Sequence, residues 1–180
     1  MNQHVKRELY AWTKSILFAL CIVFICRQFI FTPITVQGES MLPTYDDNNR
    51  VVVSKTSPID RFDIIVFRAP DAELNYIKRV IGVPGDQLEM IDDVLYINGK
   101  VHEEPYVKSN NHSHINKVTG DFTLQELTGK KIVPEGYLFV LGDNRSNSND
   151  SRIFGFISED SIIGEVQFQF YPLKEIGIPK

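Results

Sequence analysis

Cysteine is nearly absent from this chain: the two present, Cys21 and Cys26, both fall inside one apolar segment near the N-terminus. No disulfide can staple the polar remainder, whose core must hold by burial alone. Five residues apart in a hydrophobic stretch, the pair reads as small packing residues rather than a redox couple. A basic excess is missing as well. Residues 1–31 carry Lys6, Arg7, Lys14 and Arg27 against Glu8, a net +3, while the rest holds 15 basic and 22 acidic residues. That is no nucleic-acid footprint. No His-Glu-x-x-His pattern occurs and His112-Ser113-His114 reads as exposed loop, so no metal or other cofactor is expected. Internal repeats, a low-complexity tail and a second apolar run of spanning length are also lacking.

What is present begins with one long apolar run. From Trp12 to Phe31 the 20 residues are apolar apart from Thr13, Lys14, Ser15, Arg27 and Gln28. At about 1.5 Å per residue a helix of that length reaches about 30 Å, the thickness of a bilayer core. A cleaved signal peptide would look similar, but Cys26 to Phe31 offers no small-x-small cleavage site, so a retained anchor is expected. Arg27 is tolerated if it snorkels from the outer end. Lys6, Arg7 and Lys14 precede the run, which by the positive-inside rule puts residues 1–11 in the cytoplasm, 12–31 in the membrane and 32–180 outside. The outer part suits one compact domain.

Beyond Thr32 the chain reads as mostly β. Strand patterns occupy Arg50 to Lys55, Asp63 to Phe67, Asn75 to Ile81, Gln87 to Ile91, Val94 to Ile97, Tyr137 to Leu141 and Ile162 to Tyr171. Val83-Pro84-Gly85-Asp86 fits a type II turn and Asn98-Gly99 a hairpin, while Thr123 to Leu127 has the spacing of a capping box. Residues of about 87–133, polar and weakly periodic, read as a small lobe inserted into the main sheet.

Two side chains invite chemistry. In a strand Lys78 shares its face with Tyr76 and Val80, an apolar setting that disfavours an ammonium. An unperturbed lysine, at a pKa of about 10.4, is almost wholly protonated at neutral pH; lowered to about 8, roughly a tenth is free to act as a base. Ser40 follows the β-branched run Ile34-Thr35-Val36 and the flexible Gly38, and Pro43 fixes the exit of its turn. Such a turn presents a hydroxyl and aims a backbone N–H at a developing oxyanion. Gly142 to Arg152 forms a polar loop whose third position from Asp143 is Arg145, which does not suit a calcium loop. Singly, each of these features is ordinary.

In order they are not. Ser40-Met41-Leu42-Pro43-Thr44, Asp63-Ile64-Ile65-Val66-Phe67, Lys78 to Asp86 and Gly142 to Arg152 resemble the motif boxes of the type I signal peptidases, from the anchor to about Gly164. The resemblance implies a β-sheet catalytic core, shared with self-cleaving repressor proteases, in a membrane-anchored serine endopeptidase that cuts exported precursors after Ala-x-Ala. Ser40 would be the nucleophile and Lys78 the general base, with no histidine needed. Ser148 would hydrogen-bond the Lys78 amine, Asp150 and Arg152 would pair to hold their loop, and Asp143 would pair with Arg79. The oxyanion would meet the N–H of Ser40 and, because Gly38 stands where diderm members have a serine, either the Gly38 N–H or no second donor. Matching positions suggest Val36, Met41, Tyr45, Tyr76 and Ile77 around P1, with Ile34, Val51 and Val66 joining Val36 and Ile77 around P3. Phe62 stands where the family usually has glycine. The single anchor and short lobe look like the Gram-positive form, with secreted precursors and a lipid bilayer as partners, no nucleic acid, and a monomer sufficient.

Overall fold

A computed structural model describes residues 3–107 and 117–178 of the chain; His112 and His114 lie outside these. The first helix, α1 (Gln3–Phe29), contains the apolar run, begins well before it, and ends short of Phe31. Its Lys6–Phe29 portion is long and apolar enough to cross a membrane. Strand β1 (Phe31–Thr35) starts almost at once. Lys55 closes the junction, giving its main-chain N–H to Ile30 O at 2.8 Å and its ammonium to Gln28 O at 2.8 Å.

The strands that follow are β2 (Arg50–Ser54), β3 (Ile64–Arg68), β4 (Asn75–Gly82), β5 (Leu88–Ile91), β6 (Val94–Ile97), β7 (Lys100–His102), β8 (Phe122–Thr123), β9 (Tyr137–Leu141), β10 (Ile157–Ser158) and β11 (Ile162–Tyr171). Seven of them form one sheet in the order β1-β2-β11-β3-β4-β9-β10, and four a second in the order β7-β6-β5-β8. The second sheet is built from the chain between β4 and β9. Its hairpin at Asn98-Gly99 has both residues at positive φ, 53° and 74°, as a two-residue turn requires. The turn at Val83-Pro84-Gly85-Asp86 also forms, with Asp86 N–H given to Val83 O at 3.0 Å and Gly85 at φ 88°. Thr123 caps the short helix α2 (Leu124–Thr128) through the full capping box with Glu126.

Several elements escape the periodicity reading, among them the short strands β7 and β8. β1 contains Pro33, which an edge strand tolerates because its outer groups need no partner. β10 is two residues long, and helix α3 (Ser151–Phe154) is a single turn capped by Asp150.

Burial divides the core into three clusters. Ile81, Phe139 and Leu141 of the large sheet pack with Leu88, Met90, Leu95 and Ile97 of the small one, fusing the two. Val36, Met41, Tyr45, Val51, Val66 and Ile77 form a second cluster, and Ile65, Phe67, Val80 and Val140 anchor a third. Each such side chain contributes about 1.5–3 kcal/mol over leaving it in water. Strand β4 thus has apolar neighbours on both faces, and Lys78 lies in the middle of it.

Phe62, where glycine was expected, adopts a left-handed φ of 75°. The turn survives because its N–H reaches Val80 O at 2.8 Å and its ring packs on His102 and Tyr106, at 5.8 and 6.4 Å between centroids. The side chain that strains the backbone also fastens the inserted sheet.

Candidate active site

Ser40 sits on a turn that its neighbours fix from both sides. Met41 and Tyr45 are buried in the core, and Tyr45 N–H closes onto Met41 O at 2.9 Å. Gly38 takes a φ of 81°, a left-handed region that favours glycine. Between these fixed points Ser40 stays half-buried, with its hydroxyl at the sheet.

β4 brings Lys78 to it. The side chain is 3% exposed, and Nζ lies 2.8 Å from Ser40 Oγ and 3.0 Å from Ile77 O. Burial lowers its pKa from 10.5 to about 8, against the opposing pull of Asp150 and Asp143. The Tyr76 ring centroid is 5.3 Å from the same nitrogen. As an ammonium the group donates to Ser40 Oγ; once deprotonated, it can accept the hydroxyl proton over the same distance.

The loop Gly142 to Arg152 braces both. Asn144 donates its main-chain N–H to Ser40 O and its side-chain amide to Glu39 O, each at 3.0 Å. Asp150, fully buried, accepts from Arg152 Nε and Nη2 at 2.8 Å each and from Gly142 N–H at 3.1 Å. Asp143 accepts from Arg79 Nε at 2.9 Å and Nη2 at 2.7 Å, and from the Thr44 hydroxyl. Lysine amine, serine turn and loop are therefore one hydrogen-bonded unit.

Two expected contacts are not made. Gly38 gives its N–H to Asp47 Oδ1 at 2.8 Å, so that donor is committed elsewhere, to a carboxylate nine residues further along the chain that no local pattern tied to it. Ser40 N–H, by contrast, has no acceptor among the described residues. Ser148 is beside the loop's Gly142, but its buried Oγ has no hydrogen-bond partner among the described residues, so the bond to Lys78 is not formed here.

A cavity of about 600 Å³ opens over Ser40 and Lys78. Of the residues expected around P1 and P3, Ile34, Val36, Val66, Tyr76 and Ile77 border it. Met41, Tyr45 and Val51 do not; they are packed in the cluster behind its wall, because an alternating strand and a tight turn send them inward. Glu39, Glu73, Leu74, Asn147 and Asn149 also border it and were not among the expected pocket residues. Among the described residues no group of three or more His, Cys, Asp or Glu could hold a metal ion.

Comparison with known proteins agrees with this architecture. Residues 9–171 match the family described as "Signal peptidase, peptidase S26". The chain is 48% identical to signal peptidase I of Bacillus caldolyticus, over 88% of this chain and 90% of that protein. It is 44% identical to signal peptidase IB of Staphylococcus aureus strain Mu50, over 95% and 94%. Among solved structures, signal peptidase I of Enterococcus faecalis V583 aligns with a TM-score of 0.58 at 47% identity, covering 61% of this chain and 97% of that one. With a family match across most of its length, this chain belongs to the signal peptidase, peptidase S26, family of serine endopeptidases.

Proposed function

We propose that this chain is a membrane-anchored signal peptidase I that removes N-terminal signal peptides from exported precursors after small-x-small sites such as Ala-x-Ala. The observation that carries the reading is the 2.8 Å contact between Ser40 Oγ and a lysine amine that burial brings to a pKa of about 8.

Neutral Lys78 takes the Ser40 proton as Oγ bonds to the scissile carbonyl carbon. The carbon–nitrogen bond breaks as the Lys78 ammonium returns that proton to the leaving amine. Water, activated by the same amine, then releases the acyl group from Ser40. Ser40 N–H faces the oxyanion. Asp150 and Arg152 hold the loop, and Ser148 supplies a hydroxyl to the Lys78 amine when the third contact forms. Ile34, Val36, Val66, Tyr76 and Ile77 contact the small P1 and P3 side chains, while Met41, Tyr45 and Val51 set the depth of the wall. Among the described residues β1 pairs only with β2, so its outer edge suits an extended substrate added as a strand.

In this reading residues 1–11 are cytoplasmic, α1 spans the cell membrane, and residues 32–180 work outside as a monomer on the lipid surface. The test is cleavage of an Ala-x-Ala peptide by the full chain in detergent. Wild type should cut after the second alanine, whereas Ser40→Ala and Lys78→Ala should not; cleavage surviving either substitution excludes the dyad.

A further inference from the structure

The inserted lobe sends one carboxylate into the loop that braces the catalytic pair. Arg145, its side chain fully buried, gives Nη1 to Glu104 Oε2 at 3.0 Å and Nη2 to Glu104 Oε1, while its Nε donates to Gly142 O at 3.0 Å. Glu104 also accepts the Tyr106 hydroxyl at 3.0 Å, and the Arg79 guanidinium lies 3.8 Å over the Tyr106 ring. Arg79 in turn holds Asp143. Lobe, base strand and loop therefore close a ring.

Gly142 is where that ring meets the chemistry. Its N–H goes to Asp150 and its carbonyl receives Arg145. On its remaining side it presses so closely on the site that a Cβ would lie 2.2 Å from Ser148 Oγ and 2.5 Å from Ser40 O. Without Glu104, a buried guanidinium loses its counter-charge, and the favourable escape is rotation into solvent. That rotation withdraws the donor from Gly142 O. The glycine is then free to shift against both the serine turn and the Ser148 hydroxyl.

We infer that Glu104, about 40 residues upstream of the loop in sequence, is a positioning residue of the lobe that acts through Arg145 and Gly142 on the alignment of Ser40 with Lys78. The inference rests on the reading of those two residues as the reacting pair. It gives the inserted lobe a part in the rate rather than only in the fold.

The experiment uses the full chain in detergent and compares Glu104→Ala and Glu104→Gln with wild type, and with Glu103→Ala at the exposed neighbouring position as control. At a temperature where all are folded, Glu104→Ala should lower kcat on an Ala-x-Ala peptide about tenfold with KM within about twofold, because misalignment of the reacting groups leaves the groove intact. Glu104→Gln, which keeps the shape and one acceptor, should recover part of the rate. Hydrogen exchange supplies an arm independent of activity: the amides of Gly142 and Asn144 should exchange about tenfold faster in Glu104→Ala, with those of β3 unchanged. Unchanged exchange at Gly142 and Asn144, or a kcat per folded molecule within about twofold of wild type, overturns the inference. Failure of wild type itself to cleave would overturn the proposed function instead, and the exchange arm would still decide whether Glu104 holds the loop.

Discussion

Gly142 and Ser148 are so close that there is no room for one methyl group between them: a Cβ on Gly142 would stand 2.2 Å from Ser148 Oγ and 2.5 Å from the main-chain oxygen of Ser40. The φ of Gly142 is ordinary, so space and not backbone freedom demands glycine. Gly142→Ala should keep the β fold by circular dichroism yet lower kcat about 100-fold, the scale expected when reacting groups are displaced by about 1 Å.

The second prediction concerns acidity. Burial puts the Lys78 pKa near 8, and only the neutral amine accepts a proton. The rate of peptide cleavage should therefore rise about tenfold per pH unit below about 8 and level off above it. A rate profile that falls between about pH 6 and 8 would contradict the assignment.

Stability should move with the same group. Lys78 has its folded pKa below the unfolded value of 10.5, so from about 8 to 10.5 the unfolded chain binds more protons and stability rises with pH. Below that window the burial penalty stands in full, on the order of 3 kcal/mol at 1.36 kcal/mol per unit. Lys78→Met, inactive, should be more stable than wild type by about 1–3 kcal/mol at neutral pH once the lost contacts to Ile77 O and Ser40 are allowed for. Denaturant unfolding at neutral pH and at pH about 10 checks both the gain and its disappearance.

Buried pairing gives a fourth expectation. Asp143 and Arg79 have side chains 0% and 5% exposed. Asp143→Ala should cost about 3–5 kcal/mol in unfolding free energy because it strands the guanidinium, whereas replacing both partners by leucine and methionine should recover most of that loss. A single substitution no worse than the double would refute the argument.

Phe62 sets strain against packing. Phe62→Ala keeps the left-handed φ of 75° and loses the rings of His102 and Tyr106; Phe62→Gly loses the rings and the strain together. Thermal unfolding should rank wild type first, then Phe62→Gly, then Phe62→Ala, the two variants differing by about 1 kcal/mol.

Much of this molecule could be read from its residues, and the parts that could not share a cause. Local rules placed the β11 span, the Val83–Asp86 turn and the Thr123 cap, since each depends on a few adjacent side chains. The pairs Arg79–Asp143 and Asp150–Arg152 followed from motif resemblance. What escaped depends on which way a side chain turns once the sheet has formed. Met41, Tyr45 and Val51 face the core, Gly38 N–H is taken by Asp47, and Ser148 Oγ stands unpartnered. Arg145 meets Glu104 across a sequence separation of 41 residues, and no periodicity encodes such a meeting.

The junction at Phe29 to Phe31, clasped by Lys55, leaves the groove no leash. A domain on a loose tether could rise or sink to meet scissile bonds at different heights. This one is held to the end of its own helix like a blade fixed to a bench. On the proposed reading a substrate would have to bring its scissile bond to that level, which would make distance from the helix end a length gauge alongside the choice of side chain.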